Sequence, residues 1–208
     1  MATQQVATEP QRDALVEQKL QKLKELYADA PEIGKAALKN GLAMLTQELG
    51  AAGRAQTAGR IGARQGKVSE LTVFLPFVKG GAKRLRGLLQ LLEGNFRAAD
   101  AVGTVHDMRF VFVDNDTKLL FATAYDGDFD PYIEDFAAKI PNAMDLWLSN
   151  FEGYPGMRNP SAAKDWIAKH QIAAEAWYVN SPNLEAPETR RLERVGKAVD
   201  ELLDKIGG

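Results

Sequence analysis

The sequence predicts an α+β protein, and three observations carry that reading. Before residue 50, apolar residues recur at helical spacing in two successive segments. From residue 70 the period shortens to two, in the β-branched and aromatic runs "ELTVFLPFV" and "TVHDMRFVFVD". A polar tip, "NDT", then leads into a returning run, "KLLFATAYD", as a hairpin requires.

The elements follow in order. Val16, Leu20, Leu23 and Tyr27 mark a first helix. Pro31, suited to a first helical turn, opens a second helix whose apolar face is Ile33, Ala37, Leu42, Leu45 and Leu49. Residues 1–49 therefore read as a helical hairpin. Residues 50–68, rich in Gly, Ala, Gln and Arg without an apolar stripe, read as a basic linker or mobile loop. Residues 69–180 read as one α+β domain: strand 70–78, helix 80–96 facing inward through Leu85, Leu88, Leu89 and Leu92, strand 104–114, a three-residue turn at 115–117, strand 118–126, helix 131–149, a short helix in "AAKDWIAKHQI", and a last strand "EAWYV" at 175–179. That order, βαββαβ with one extra helix, is the ferredoxin-like pattern. In residues 181–208, Leu192, Val195, Val199, Leu202 and Ile206 are spaced three, four, three and four apart, a short coiled-coil-like seam. It can pack within the chain or on a second copy.

Composition narrows the chemistry. The 208 residues carry a net charge of −2, with 45% hydrophobic and 26% charged residues, an ordinary globular balance that points to neither nucleic acid nor a membrane surface. With no cysteine there are no disulfides, thiolate nucleophiles or cysteine-type metal sites. The polar start "MATQQVATEPQRDALVEQ" has no signal core, and a cytoplasmic location is the expectation. Charge is uneven: residues 54–97 are basic and residues 98–152 acidic.

The acidic stretch "TAYDGDFDPYIEDFAAKI" invites a calcium-loop reading. A loop starting at Asp126 has Asp128 and Asp130 at positions three and five, but Pro131 where glycine must turn and Ala137 where the bidentate Glu belongs. The capping reading fits better: Asp130 as N-cap, Pro131 in the first turn, Glu134 and Asp135 near the positive helix end. Phosphate loops, dinucleotide fingerprints, zincin motifs and a nucleophile elbow are all missing, as is the aromatic third-strand signature of RNA-recognition domains.

His106, Arg109 and Phe110 on the second strand, Leu119, Phe121, Tyr125, Asp126 and Gly127 on the third, Tyr132 and Asp135 in the next helix, then Trp147 and Gly153, form a pattern. It resembles the dimeric α+β barrel superfamily, in particular domains related to dye-decolorising peroxidases, over about residues 69–180. The resemblance implies a ferredoxin-like sheet domain, a homodimer formed by pairing two sheets, and an enzyme whose chemistry is oxidative if haem is bound and cofactor-free acid/base or oxygenase chemistry if not. Thr123 stands where the peroxidase Gly-x-x-Asp-Gly motif begins with glycine.

Candidate site residues come from strand alternation and residue chemistry. Asp107 and Arg109 share one strand face with Val111 and Val113; Thr123 and Tyr125 lie on the adjacent strand, and Trp177 and Tyr178 on the last. Asp107 as general base, Arg109 as a fork for a carboxylate or haem propionate, and Tyr125 would line a cavity over the sheet. The same Asp–Arg pair also suits an ordinary surface. His106 falls on the face of Met108, Phe110 and Phe112, where a structural bond to a neighbour is expected. His170 is either an axial haem ligand or a partner for its helix's C-terminal dipole. Two functions are therefore expected to compete: a small-molecule or cofactor-binding enzyme with that cavity, and a non-catalytic assembly module using the basic linker and terminal helices.

Overall fold

The structure is a computed structural model that describes residues 9–51, 56–93 and 95–207. The chain divides into two units, Met1–Arg54 and Ala55–Gly208. The first unit is the expected helical hairpin, α1 (Glu9–Leu26) and α2 (Glu32–Ala51). Val16, Leu20 and Leu23 of α1 are half-buried, as are Leu38, Leu42, Leu45 and Leu49 of α2. Ile33, expected on the inner face, is 81% exposed, and Ala37 is exposed too.

The second unit is α+β, built on a five-stranded antiparallel sheet in the order β1-β2-β3-β5-β4. The strands are β1 (Gln56–Thr57), β2 (Ala63–Gln65), β3 (Val68–Pro76), β4 (Val105–Val113) and β5 (Lys118–Asp126). Because β5 is antiparallel to both neighbours, β3 and β4 run parallel on either side of it. Helices α3 (Gly81–Leu92) and α4 (Arg97–Val102) make that crossover, an arrangement compatible with a ferredoxin-like fold. Helices α5 (Phe129–Lys139), α6 (Pro141–Leu148) and α7 (Pro160–His170) complete the layer on the same sheet face, and α8 (Ala186–Gly207) ends the chain.

The core lies between sheet and helices. Leu71, Val73 and Leu75 of β3 and Leu119, Phe121 and Tyr125 of β5 meet Leu85, Ile133, Phe136, Leu148 and Ile167, all buried. The opposite sheet face carries Asp107, Arg109 and Val111, with Val111 46% exposed.

Several elements differ from the sequence reading. The segment expected as a mobile linker supplies β1 and β2; residues 52–55 of it lie outside the described residues. The cations among its described residues are matched: Arg60 to Asp165, Arg64 to Asp128 at 2.7 Å, and Lys67 to Glu185 and Glu188 at 3.8 and 3.9 Å. The helix expected over 80–96 stops at Leu92, and α4 follows separately. The helix expected over 131–149 breaks at Ile140 (φ −139°, ψ 46°), because Pro141 pushes its predecessor out of the helical region. Asp128, not Asp130, occupies the N-cap position of α5, and its carboxylate pairs with Arg64 rather than capping the helix.

The last strand is absent: residues 175–179 form neither helix nor strand. Along the outer edge of β3, β2 pairs with Val68 and Ser69, while further on Gln171 bridges to Val73 and the Ile172 N–H donates to the Thr72 carbonyl at 2.9 Å. With that edge divided between two segments, "EAWYV" does not enter the β3 ladder, and its β-propensity alone does not make it a strand.

Candidate functional site

A cavity of about 420 Å³ lies between the sheet's core face and helices α3 to α7. Leu71, Val73 and Leu75 of β3, Met108 and Phe110 of β4, and Phe121 of β5 form its sheet side. Leu85, Leu88, Leu89 and Leu92 supply the α3 wall, the inward stripe expected from the sequence. Alternation on the strands and helical spacing on α3 thus send apolar side chains to one place from two directions. Leu92 and Leu146 line the cavity while 38% and 61% exposed, so it opens between the end of α3 and α6.

Aromatic rings organise the interior. The Trp147 ring meets Phe110 and Phe121 edge-on, both at 4.9 Å, and Phe96 stacks on Phe110 at 5.5 Å. The Trp147 indole N–H is buried and has no acceptor among the described residues. Helix α6, which carries Trp147, is anchored by Asp145: its Oδ1 accepts the Tyr154 hydroxyl and the Met157 N–H, both at 2.7 Å. Those two bonds, the tyrosine's first, hold the Asp145 carboxyl below its ordinary range, with Arg158 assisting and burial opposing.

The cavity offers little acid/base chemistry. Tyr132 lines it and is 4% exposed. Its hydroxyl lies 3.3 Å from Thr123 Oγ1, which itself donates to the Asp107 carbonyl at 2.8 Å, so Tyr132 is the donor. Burial pushes the Tyr132 phenol well above its ordinary range. Tyr125, stacked on Tyr132 at 3.8 Å, is raised as well, by burial first and then by Tyr132, Glu70 and Asp128.

The expected site is not assembled. Asp107 pairs in register with Ala124 and Arg109 with Ala122, so both face away from Tyr125, which is fully buried on the core side. Asp107 Oδ1 accepts the Ala124 N–H at 3.0 Å, and its other oxygen lies 3.6 Å from Arg109, which is 65% exposed at the side chain. Asp107 and Arg109 are therefore an open surface pair, the bland alternative of the sequence reading. His106 leaves the face of Met108 because a bulge between Val105 and Asp107 shifts the register. Its Nε2 bonds Asp126 Oδ1 at 2.6 Å, and Asp126 Oδ2 accepts the Ala186 N–H at 2.9 Å, tying β4, β5 and the start of α8 together.

His170 Nδ1 lies 2.8 Å from the Trp166 carbonyl one helical turn back, the helix-terminus role. Neither histidine lines the cavity. Of its lining residues only Tyr132 belongs to the usual anionic haem ligands, and its phenol is neutral and already engaged. The residues present do not fit a haem held by His170 in this cavity. No group of three or more metal-ligating side chains occurs among the described residues, and none of their helices is long and apolar enough to cross a membrane.

Sequence reasoning missed Asn95 and Arg97, which line the cavity from the segment entering α4, and the orphan donor on Trp147. The signal for Trp147 was its apolar helix; for Arg97 it was one cation in a basic stretch. Comparison with protein-family models, with curated proteins and with solved structures finds no match to this chain.

Proposed function

We propose that this chain is a small-molecule-binding protein of dimeric α+β barrel type that takes an apolar ligand into the cavity between its sheet and helices. One observation carries the reading: an apolar cavity of about 420 Å³, within the size range of ligand pockets, lies open between the sheet and the helices. A packed core rarely leaves such a volume open. An apolar ligand would fill it. Within the cavity this chain's residues would exclude water and orient the ligand. The cavity lies on the other side of the sheet from Asp107 and Arg109.

The test is titration of the chain, cleared of bound apolar material, with an environment-sensitive apolar dye. Saturable binding is expected, lost in Leu89→Trp, which fills the cavity, and kept in Arg109→Ala. Binding lost in Arg109→Ala and kept in a folded Leu89→Trp would return the site to the open sheet face.

A second reading, assembly with another copy of this chain, rests on different residues. Leu192, Val195, Val199, Leu202 and Ile206 of α8 are 42–73% exposed along one seam. Val111 is also exposed on the open sheet face. A homodimer would cover such surfaces. Sedimentation of the chain and of Val199→Glu tests it: a dimer converted to monomer supports assembly through α8, and a monomeric parent chain removes it.

A further inference from the structure

The cavity's interior is apolar, but its mouth is not neutral. Asn95 and Arg97 line it there, both exposed. Arg97 has no ion pair or hydrogen bond to its side chain among the described residues, whereas two cations that reach α4 from elsewhere are partnered there: Lys139 on the Val102 carbonyl at 3.0 Å and Arg190 on Asp100 at 3.6 Å. Arg97 both lines the cavity and is exposed, and a side chain of that length can lay its stem on an apolar wall and hold its guanidinium to an anion at the end of an apolar body. The mouth is also greasy: Leu92 and Leu146 line it, and Leu91, next to Leu92, is 85% exposed. Apolar depth, an apolar lip and a planar cation that is unpaired among the described residues fit an amphipathic ligand with a single negative end.

We infer that the ligand is an apolar monocarboxylate, its tail in the cavity and its carboxylate on Arg97. This rests on the reading of the cavity as a ligand site. Arg97 selects for the head through a charge-assisted, two-pronged bond that a neutral alcohol cannot form. The length and shape of the tail are set separately, by the α3 leucines and the Phe110–Trp147 cluster.

The experiment is calorimetric titration of the full chain, freed of bound apolar material, with decanoate and with decanol at low salt. Decanoate is expected to bind one per chain, about tenfold tighter than decanol, the scale of one charged hydrogen-bonded pair at a partly solvated site. Arg97→Gln, a change at an exposed position, should lower decanoate to the decanol affinity and leave decanol unchanged. If decanol binds as tightly as decanoate, the cavity reading stands and the carboxylate inference falls. If the gap persists in Arg97→Gln, the head is held elsewhere and the inference also falls. If neither probe binds, both readings fall together.

Discussion

Asp107 and Tyr125 sit on neighbouring strands and face opposite sides of one sheet. The hairpin turn decides this. Asp114, Asn115 and Asp116 all adopt positive φ, and the ladder closes with Val113 opposite Lys118. The turn therefore holds four residues, 114–117. A three-residue turn at 115–117 would have set Asp107 opposite Tyr125; one residue more sets it opposite Ala124 and reverses the face. Tyr125→Phe should then be neutral or stabilising by up to about 1 kcal/mol, since the buried hydroxyl has no partner among the described residues. A denaturant midpoint lowered in Tyr125→Phe would show that this hydroxyl is bonded.

Trp147→Phe tests the cavity wall. The variant keeps a ring against Phe110 and Phe121 but a smaller one. The indole N–H is closed off from the cavity, so apolar probes with and without an oxygen acceptor should change affinity together, by less than about tenfold. A loss confined to probes with an oxygen acceptor would show that the N–H reaches the ligand.

Asp145 gives the acid limb of stability a named contributor. Its folded pKa lies below the ordinary 3.8, so its contribution is fully present above that value and is lost as pH falls below it through the folded value. Asp145→Asn should therefore be less stable than the parent near neutral pH, and the gap should close in strong acid. Urea midpoints from roughly pH 2 to 7 check this; a gap independent of pH would trace the loss to geometry instead.

Two glycines should respond oppositely to alanine. Gly62, between β1 and β2, has φ +87°, and a Cβ there would run into the backbone carbonyl of Glu70. Gly62→Ala should cost at least about 2 kcal/mol. Gly87, within α3, has open space at its Cβ position, and Gly87→Ala should gain about 0.5–1 kcal/mol. Thermal melts of the two variants measure the contrast. A mild Gly62→Ala would mean that the segment before β3 is as loose as its composition suggested.

How much of this was legible follows from how local each signal is. The helical hairpin, β3, β4, β5 and the inward leucines of α3 come from residues close together in sequence, and they stand as read. What failed depended on a tight local turn or on distant partners. Ala63–Gln65 becomes a strand by folding straight back on Val68 and Ser69, a pairing that its Gly- and Arg-rich composition hid, and Arg60 is matched by Asp165 far along the chain. "EAWYV" had the right residues for a strand, but the β3 edge is taken by β2 and by Gln171 and Ile172. The cavity was half legible: its apolar lining was read as core, which it is, but open volume is a property of how helices sit, not of any motif. The supposed Asp107–Arg109–Tyr125 site turned on the length of the hairpin turn, and the facing of His106 on a bulge, neither of which alternation alone fixes.

The shared outer edge of β3 also bears on how the chain is made. Residues that close it lie on both sides of β3 in sequence: β2 just before it, and Gln171 and Ile172 about a hundred residues later. The Lys67 N–H waits equally long for the Pro182 carbonyl, and the Gln65 side chain for the carbonyl of Trp177. While the chain is growing from a ribosome, β3, β4 and β5 can pair and bury their apolar face, yet Thr72 and Val73 still present backbone groups outward. The nascent chain passes through a stage in which its sheet is formed but the β3 edge is still sticky, and emergence of residues 171–182 closes that edge.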